Sequence, residues 1–172
     1  YDSLEYYYFP ELEDIHIGSE KDCYYVSDWD ILDSLIVLND LSGLEVGDLG
    51  YQNWNADGRL KNFTLDYSSS NSPQYINQKI NKLPENFGEL EYLESVELYY
   101  HDLTTFPVTF PQLKSLRTLN MKGNKLKILN PDFGLLSNLE VLDLGYNELI
   151  SLPESISDLA NINYLWIFGN EI

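Results

Sequence analysis

Asp66, Glu97 and Asp143 are carboxylates set among tyrosines in segments that alternate apolar and polar residues, which makes them the first candidates for chemistry. Tyrosine rings stack on sugars, and two carboxyls about 5 to 9 Å apart, one with a raised pKa, would hydrolyse a glycosidic bond. On an open sheet, water would keep such carboxyls ionised, which favours binding over turnover. The two histidines offer less. His16 stands in "EDIHIG" without a partner at a recognisable spacing, and His101 follows Tyr99 and Tyr100 in "LESVELYYHDL" with no nucleophile placed for it to activate. No G-x-S-x-G, P-loop, H-E-x-x-H, G-x-G-x-x-G or EF-hand pattern occurs. Asp28, Asp30 and Asp33 gather at the start of a helical segment. Calcium takes about six to eight oxygens from an irregular loop, whereas acids at a helix start simply complement that terminus. The single Cys23 cannot form an internal disulfide, and no Cys/His spacing suits zinc. The residues assign no metal and no cofactor, and they point away from an enzyme.

Charge narrows the partners. The 172-residue chain carries 28 acids against 10 bases, a net charge of −18. Residues 1–58 hold 14 of those acids and the single base Lys21. Phosphate backbones are bound by displacing their counterions with Lys and Arg, so nucleic acid is excluded as a ligand. No stretch is long and apolar enough to span a membrane as a helix, and no charged leader with an apolar run marks a signal peptide. The chain opens on Tyr1 and not on Met, which reads as a leader, tag or upstream segment already removed. Its 14 tyrosines supply rigid contact area with a polar tip, a composition suited to touching a partner.

The elements that position these groups emerge from an internal period. "LESVELYYHDL" (93–103), "LRTLNMKGNKL" (116–126), "LEVLDLGYNEL" (139–149) and "INYLWIFGNEI" (162–172) align without a gap at 23-residue steps. Leu83-Pro84, Phe106-Pro107, Leu129-Asn130 and Leu152-Pro153 fall in phase between them, as do Phe87, Phe110, Phe133 and Ile156, then Leu90, Leu113, Leu136 and Leu159. "GRLKNFTLDYSS" repeats the motif with Leu60, Phe63 and Leu65, but Leu60 precedes Leu93 by 33 residues, so the polar run "YSSSNSPQYINQ" is read as an inserted loop near 67–78. A unit of this length cannot bury its apolar side alone, and stacked neighbours form one continuous core.

The pattern L-x-x-L-x-L-x-x-N-x-L followed by x-x-L-P-x-x-F/I-x-x-L resembles that of leucine-rich repeat proteins, over residues 83–172. That resemblance implies an α/β fold: a right-handed, curved solenoid with a parallel concave sheet, about five repeat strands over residues 59–172, and His101, Asn124, Asn147 and Asn170 turned inward as a ladder bonded to backbone groups. Residues 1–58 read as an N-terminal cap of short strands and a helix over 28–41, with Ser27 or Asp28 as N-cap, Gly43 as the stop, and Trp29, Leu32, Leu35, Ile36 and Leu38 to bury. Helix, Trp54 and "DGRL" resemble the cap of plant-type and related bacterial surface repeat proteins, without the cysteine pair of the plant caps. Family members chiefly mediate protein contacts. The expectation is therefore a non-catalytic module that binds a protein or peptide on its concave face, through Asp66, Tyr67, Glu97, Tyr99, Tyr100, Asn120, Lys122, Asp143, Tyr146, Tyr164, Trp166 and Phe168. A glycan ligand and self-association through the last strand are the alternatives. The composition and cap suggest a bacterial exported or cell-surface protein, with a cytoplasmic location as the alternative.

Overall fold

Leucines spaced three and then two residues apart put the first, fourth and sixth positions of each repeat on one side of a short strand, where they are buried together. The structure, a computed structural model, describes residues 6–7, 24–68 and 76–172. Its main sheet has six strands in chain order: β3 (Tyr51–Trp54), β4 (Leu60–Asp66), β5 (Ser95–Tyr99), β6 (Thr118–Asn120), β7 (Val141–Asp143) and β8 (Tyr164–Trp166). β4 to β8 run parallel, with Phe63, Val96, Leu119, Leu142 and Leu165 side by side. The sheet thus holds β3, from residues 51–54, in addition to the five parallel strands of residues 59–172. β3 pairs antiparallel with β4, and its pairing shifts by a bulge between Asn53 and Trp54. Upstream, β1 (Tyr6–Tyr7) pairs antiparallel with β2 (Tyr24–Tyr25). His16, Cys23 and residues 69–75 of the expected insertion lie outside the described residues.

Opposite the sheet, each repeat turns back through a short 3₁₀ segment: Glu85–Glu89, Phe110–Gln112, Phe133–Leu135 and Glu154–Asp158. Phe87, Phe110 and Phe133 are fully buried there. Their rings stack nearly parallel, with centroids 6.0 and 6.5 Å apart. One apolar core extends from Ile31 to Leu159.

α1 spans Val26–Leu38, earlier at both ends than the 28–41 expected. The reason lies in Asp28. It does not cap the helix; it sits within the first turn, fully buried, and accepts hydrogen bonds from Arg59 Nε (3.0 Å), Arg59 Nη2 (2.9 Å) and the Leu60 N–H (2.9 Å). The Arg59 guanidinium lies over the rings of Tyr25 and Tyr92, 4.2 and 4.6 Å from their centroids. The helix stops before Gly43 because Asn39 takes over its end. Asn39 Nδ2 donates to the Leu35 and Lys82 carbonyls, and its Oδ1 accepts from the Asn81 and Lys82 N–H groups. Tyr24 closes the joint against Trp29 and Trp54, at 5.0 and 4.7 Å.

Candidate functional site: the concave sheet face

Side chains that alternate with the buried leucines rise from the open face of the sheet in columns, since parallel in-register strands set equivalent positions about 4.8 Å apart. Counting from the first apolar residue of each repeat, the fifth-position column reads Thr64, Glu97, Asn120, Asp143 and Trp166. The seventh reads Asp66, Tyr99, Lys122, Gly145 and Phe168, and the eighth Tyr67, Tyr100, Gly123, Tyr146 and Gly169.

From β5 onward the eighth position adopts a left-handed backbone. Gly123 and Gly169 adopt φ values of 74° and 70°, and Tyr100 and Tyr146 take up the same region at 59° and 54°. A tyrosine is strained there, because its Cβ crowds the neighbouring carbonyl. Each ring lies across the glycine of the next repeat: a Cβ on Gly123 would come within 2.4 Å of Tyr100 Cδ1, and one on Gly169 within 2.8 Å of Tyr146 Cδ1. Lys122 Nζ sits between the two, 6.0 Å from the Tyr100 ring centroid and 5.5 Å from that of Tyr146. Phe168 meets Tyr146 edge-on at 5.0 Å, and Tyr164 stacks with Trp166 at 5.5 Å. Tyr146, Tyr164, Trp166 and Phe168 are each 40–58% exposed. The result is an aromatic ridge along the C-terminal ends of the strands.

The three carboxylates differ. Asp143 is buried, and its Oδ1 accepts the Gly145 N–H at 2.8 Å. Asn120 Oδ1 does the same for the Lys122 N–H at 3.1 Å, and Asp66 Oδ1 for the Ser68 N–H at 2.7 Å. These side chains close turns at the strand ends. Glu97 makes no such bond to the backbone. It accepts from the Ser95 hydroxyl at 3.4 Å and from the Tyr99 hydroxyl. Burial pushes its pKa above the ordinary glutamate value, with the Ser95 hydroxyl opposing. Desolvation thus makes the charged form of this carboxyl less favourable than that of an exposed glutamate.

Beneath the face, Asn124, Asn147 and Asn170 point inward. Their Oδ1 atoms accept the N–H groups of Leu103, Leu126 and Leu149 at 3.1, 3.0 and 2.9 Å. Their amides donate to carbonyls of their own and the preceding repeat: Met121 and Leu98 for Asn124, Leu144 and Met121 for Asn147, Ile167 and Leu144 for Asn170. His101 occupies the same position, and its Nδ1 accepts the Ile80 N–H at 3.3 Å. Its Nε2 has no partner in hydrogen-bond geometry among the described residues. Burial, with Lys79 adding to the effect, lowers its pKa to about 4, while the Leu65 backbone, Asp66 and Asp102 pull the other way. Among the described residues, no three His, Cys, Asp or Glu side chains converge as a metal site, and no helix is long and apolar enough to cross a membrane.

Sequence reasoning missed the strain at Tyr100 and Tyr146. Its signal was the alternation of Tyr and Gly at one register, since a position that takes glycine twice is one that asks for positive φ.

No family model matches the chain, and neither does any curated protein. Solved structures do. A leucine-rich repeat protein of Leptospira interrogans is 28% identical, with a TM-score of 0.56 over 80% of this chain and 40% of its own. A plant ice-binding protein superposes with a TM-score of 0.66 at 19% identity, over 86% of this chain and 49% of its own. The leucine-rich repeat ectodomain of the receptor kinase SOBIR1 from Arabidopsis thaliana gives 0.59 at 19% identity, over 86% and 94%. A complex of BIR3 with SERK2, also from Arabidopsis, gives 0.57 at 24%, over 69% and 62%. The chain thus spans less than half the length of the Leptospira and ice-binding proteins. The likeness reaches from the repeat sequence through the parallel sheet to the solved folds, and the chain is a leucine-rich repeat protein.

Proposed function

We propose that the protein is a non-catalytic recognition module that binds a protein or peptide along the aromatic ridge of its concave face. The observation that carries this reading is the pair Tyr100 and Tyr146, held in left-handed backbone at a cost of about 1–2 kcal/mol each. Strain of this kind clusters where side-chain placement serves binding, and exposed tyrosine is a favoured contact residue. Leucine-rich repeats in general serve as interaction modules, and one of the solved neighbours is itself a complex of two proteins. Turnover finds less support. A glycoside hydrolase needs a second carboxyl facing the first, and the column neighbours of Glu97 are Thr64 and Asn120. Exposure at a cell surface or outside the cell fits this role, and one solved neighbour is a receptor ectodomain.

The test is affinity capture from extracts with the wild type beside Tyr100→Ala/Tyr146→Ala, both first shown to be equally folded by circular dichroism. The expected result is a partner retained by the wild type and lost by the double variant. Equal recovery by both overturns the reading.

A further inference from the structure

We propose that Glu97 is the subsite for a cationic side chain, lysine or arginine, carried by a protein or peptide segment lying across β5 and β6. This rests on the concave face being the binding face and adds the chemistry of one contact.

Several charges on the flanks of the repeats are paired from one repeat to the next: Lys61 with Glu94 at 3.1 Å, Arg117 with Glu140, Asp102 with both Lys79 (3.4 Å) and Lys125 (3.0 Å), and Lys127 with Glu148 at 3.7 Å. Asp28 is matched by Arg59. Among the described residues, no cation lies within ion-pair distance of Glu97. The cation nearest in register, Lys122, faces the two tyrosine rings. The neighbours of Glu97 across the sheet, Thr64 and Asn120, carry no charge. The Ser95 and Tyr99 hydroxyls hold the carboxylate in place without neutralising it.

A half-buried, oriented and unmatched carboxylate has a direct complement. In a partly desolvated niche, the attraction of a cation exceeds what an exposed pair would gain, and the donors already in place remove the cost of orienting the acceptor. The net charge of −18 draws basic segments toward the surface from a distance. In the free protein the same carboxylate is a liability. Its desolvation is offset only by the Ser95 and Tyr99 hydroxyls, and no cation among the described residues adds to them.

The experiment pans a displayed library of random short peptides on the wild-type protein, then measures each recovered peptide against Glu97→Gln and Tyr146→Ala. The subsite predicts recovered peptides with Lys or Arg at a fixed place, binding Glu97→Gln about tenfold or more weakly. Because the substitution changes the net charge by a single unit, general attraction of basic peptides is preserved and does not imitate this loss. The carboxyl resonance of Glu97 should also titrate at lower pH with peptide bound, a response that a structural role would not give. The cation subsite is overturned by peptides that lose binding to Tyr146→Ala yet lack a basic residue or bind Glu97→Gln unchanged; the concave-face reading then stands. Peptides that bind Tyr146→Ala as well as the wild type, or no enrichment at all, overturn that reading and the subsite with it.

Discussion

His101 does with one acceptor what each asparagine of the ladder does with an acceptor and two donors. Only neutral imidazole accepts the Ile80 N–H, and a second proton would set two donors against each other in a buried space. Burial depresses its pKa to about 4 from 6.5. Between those values the unfolded chain binds the proton and the folded chain does not, so stability falls as pH drops. The contribution is whole above about pH 6.5, is lost progressively toward pH 4, and amounts to about 3 kcal/mol in full. Asparagine does not titrate. Chemical denaturation of wild type and His101→Asn should therefore diverge on acidification, with the variant gaining about 2 kcal/mol relative to wild type near pH 5. Parallel pH profiles would exclude a titrating His101 as the cause. The register of this histidine was legible in the sequence, because it aligns with Asn124, Asn147 and Asn170. That its Nε2 lacks a partner in hydrogen-bond geometry among the described residues was not, since imidazole and carboxamide differ in reach and only coordinates show where each nitrogen falls.

At the scale of elements, the helix and the repeats meet through Asp28 and Arg59. Amphipathic spacing was enough to locate α1, yet both of its ends fell elsewhere, and for one reason. The capping rules are local, whereas the partner of Asp28 lies 31 residues on in sequence and that of Asn39 lies 43 on. No pattern within the helix encodes either. An acid read as the cap of a helix start is thus a fully buried one, bonded to Arg59 and to the first amide of β4. Removing the arginine leaves that buried carboxylate without its counter-charge, a loss of about 3–5 kcal/mol. Arg59→Ala should lower the denaturation midpoint accordingly. Its effect should shrink in an Asp28→Asn background, where no buried charge is orphaned, and a double-mutant cycle measures the difference. Additive losses would show that the joint depends on packing by Tyr25 and Tyr92 and not on the charge pair.

For the whole molecule, the period of the repeats set the architecture from sequence alone, and the stacked phenylalanines followed from it. The proposed binding face was legible only in part. Alternation named the residues that leave the sheet, but Asp143, one of those residues, is drawn down onto Gly145. Asn120 and Asp143 turned out to shape strand ends, because short polar side chains bond the amide two residues ahead in preference to projecting outward.

The tyrosine laid across the next repeat's glycine has a further consequence, which is parity. From β5 onward the eighth position reads Tyr, Gly, Tyr, Gly, and from β4 to β7 the second position reads Lys61, Glu94, Arg117, Glu140. Neighbouring repeats are therefore unlike, and the unit that copies itself is a pair. Deleting residues 116–138 removes one member: Tyr100 then abuts Tyr146 where a glycine belongs, and Glu94 abuts Glu140. Adding Tyr146→Gly and Glu140→Arg to that deletion should raise its melting temperature, whereas the same two substitutions in the full chain should lower it. A chain assembled in this way can lengthen or shorten without a mismatch only by two repeats at a time.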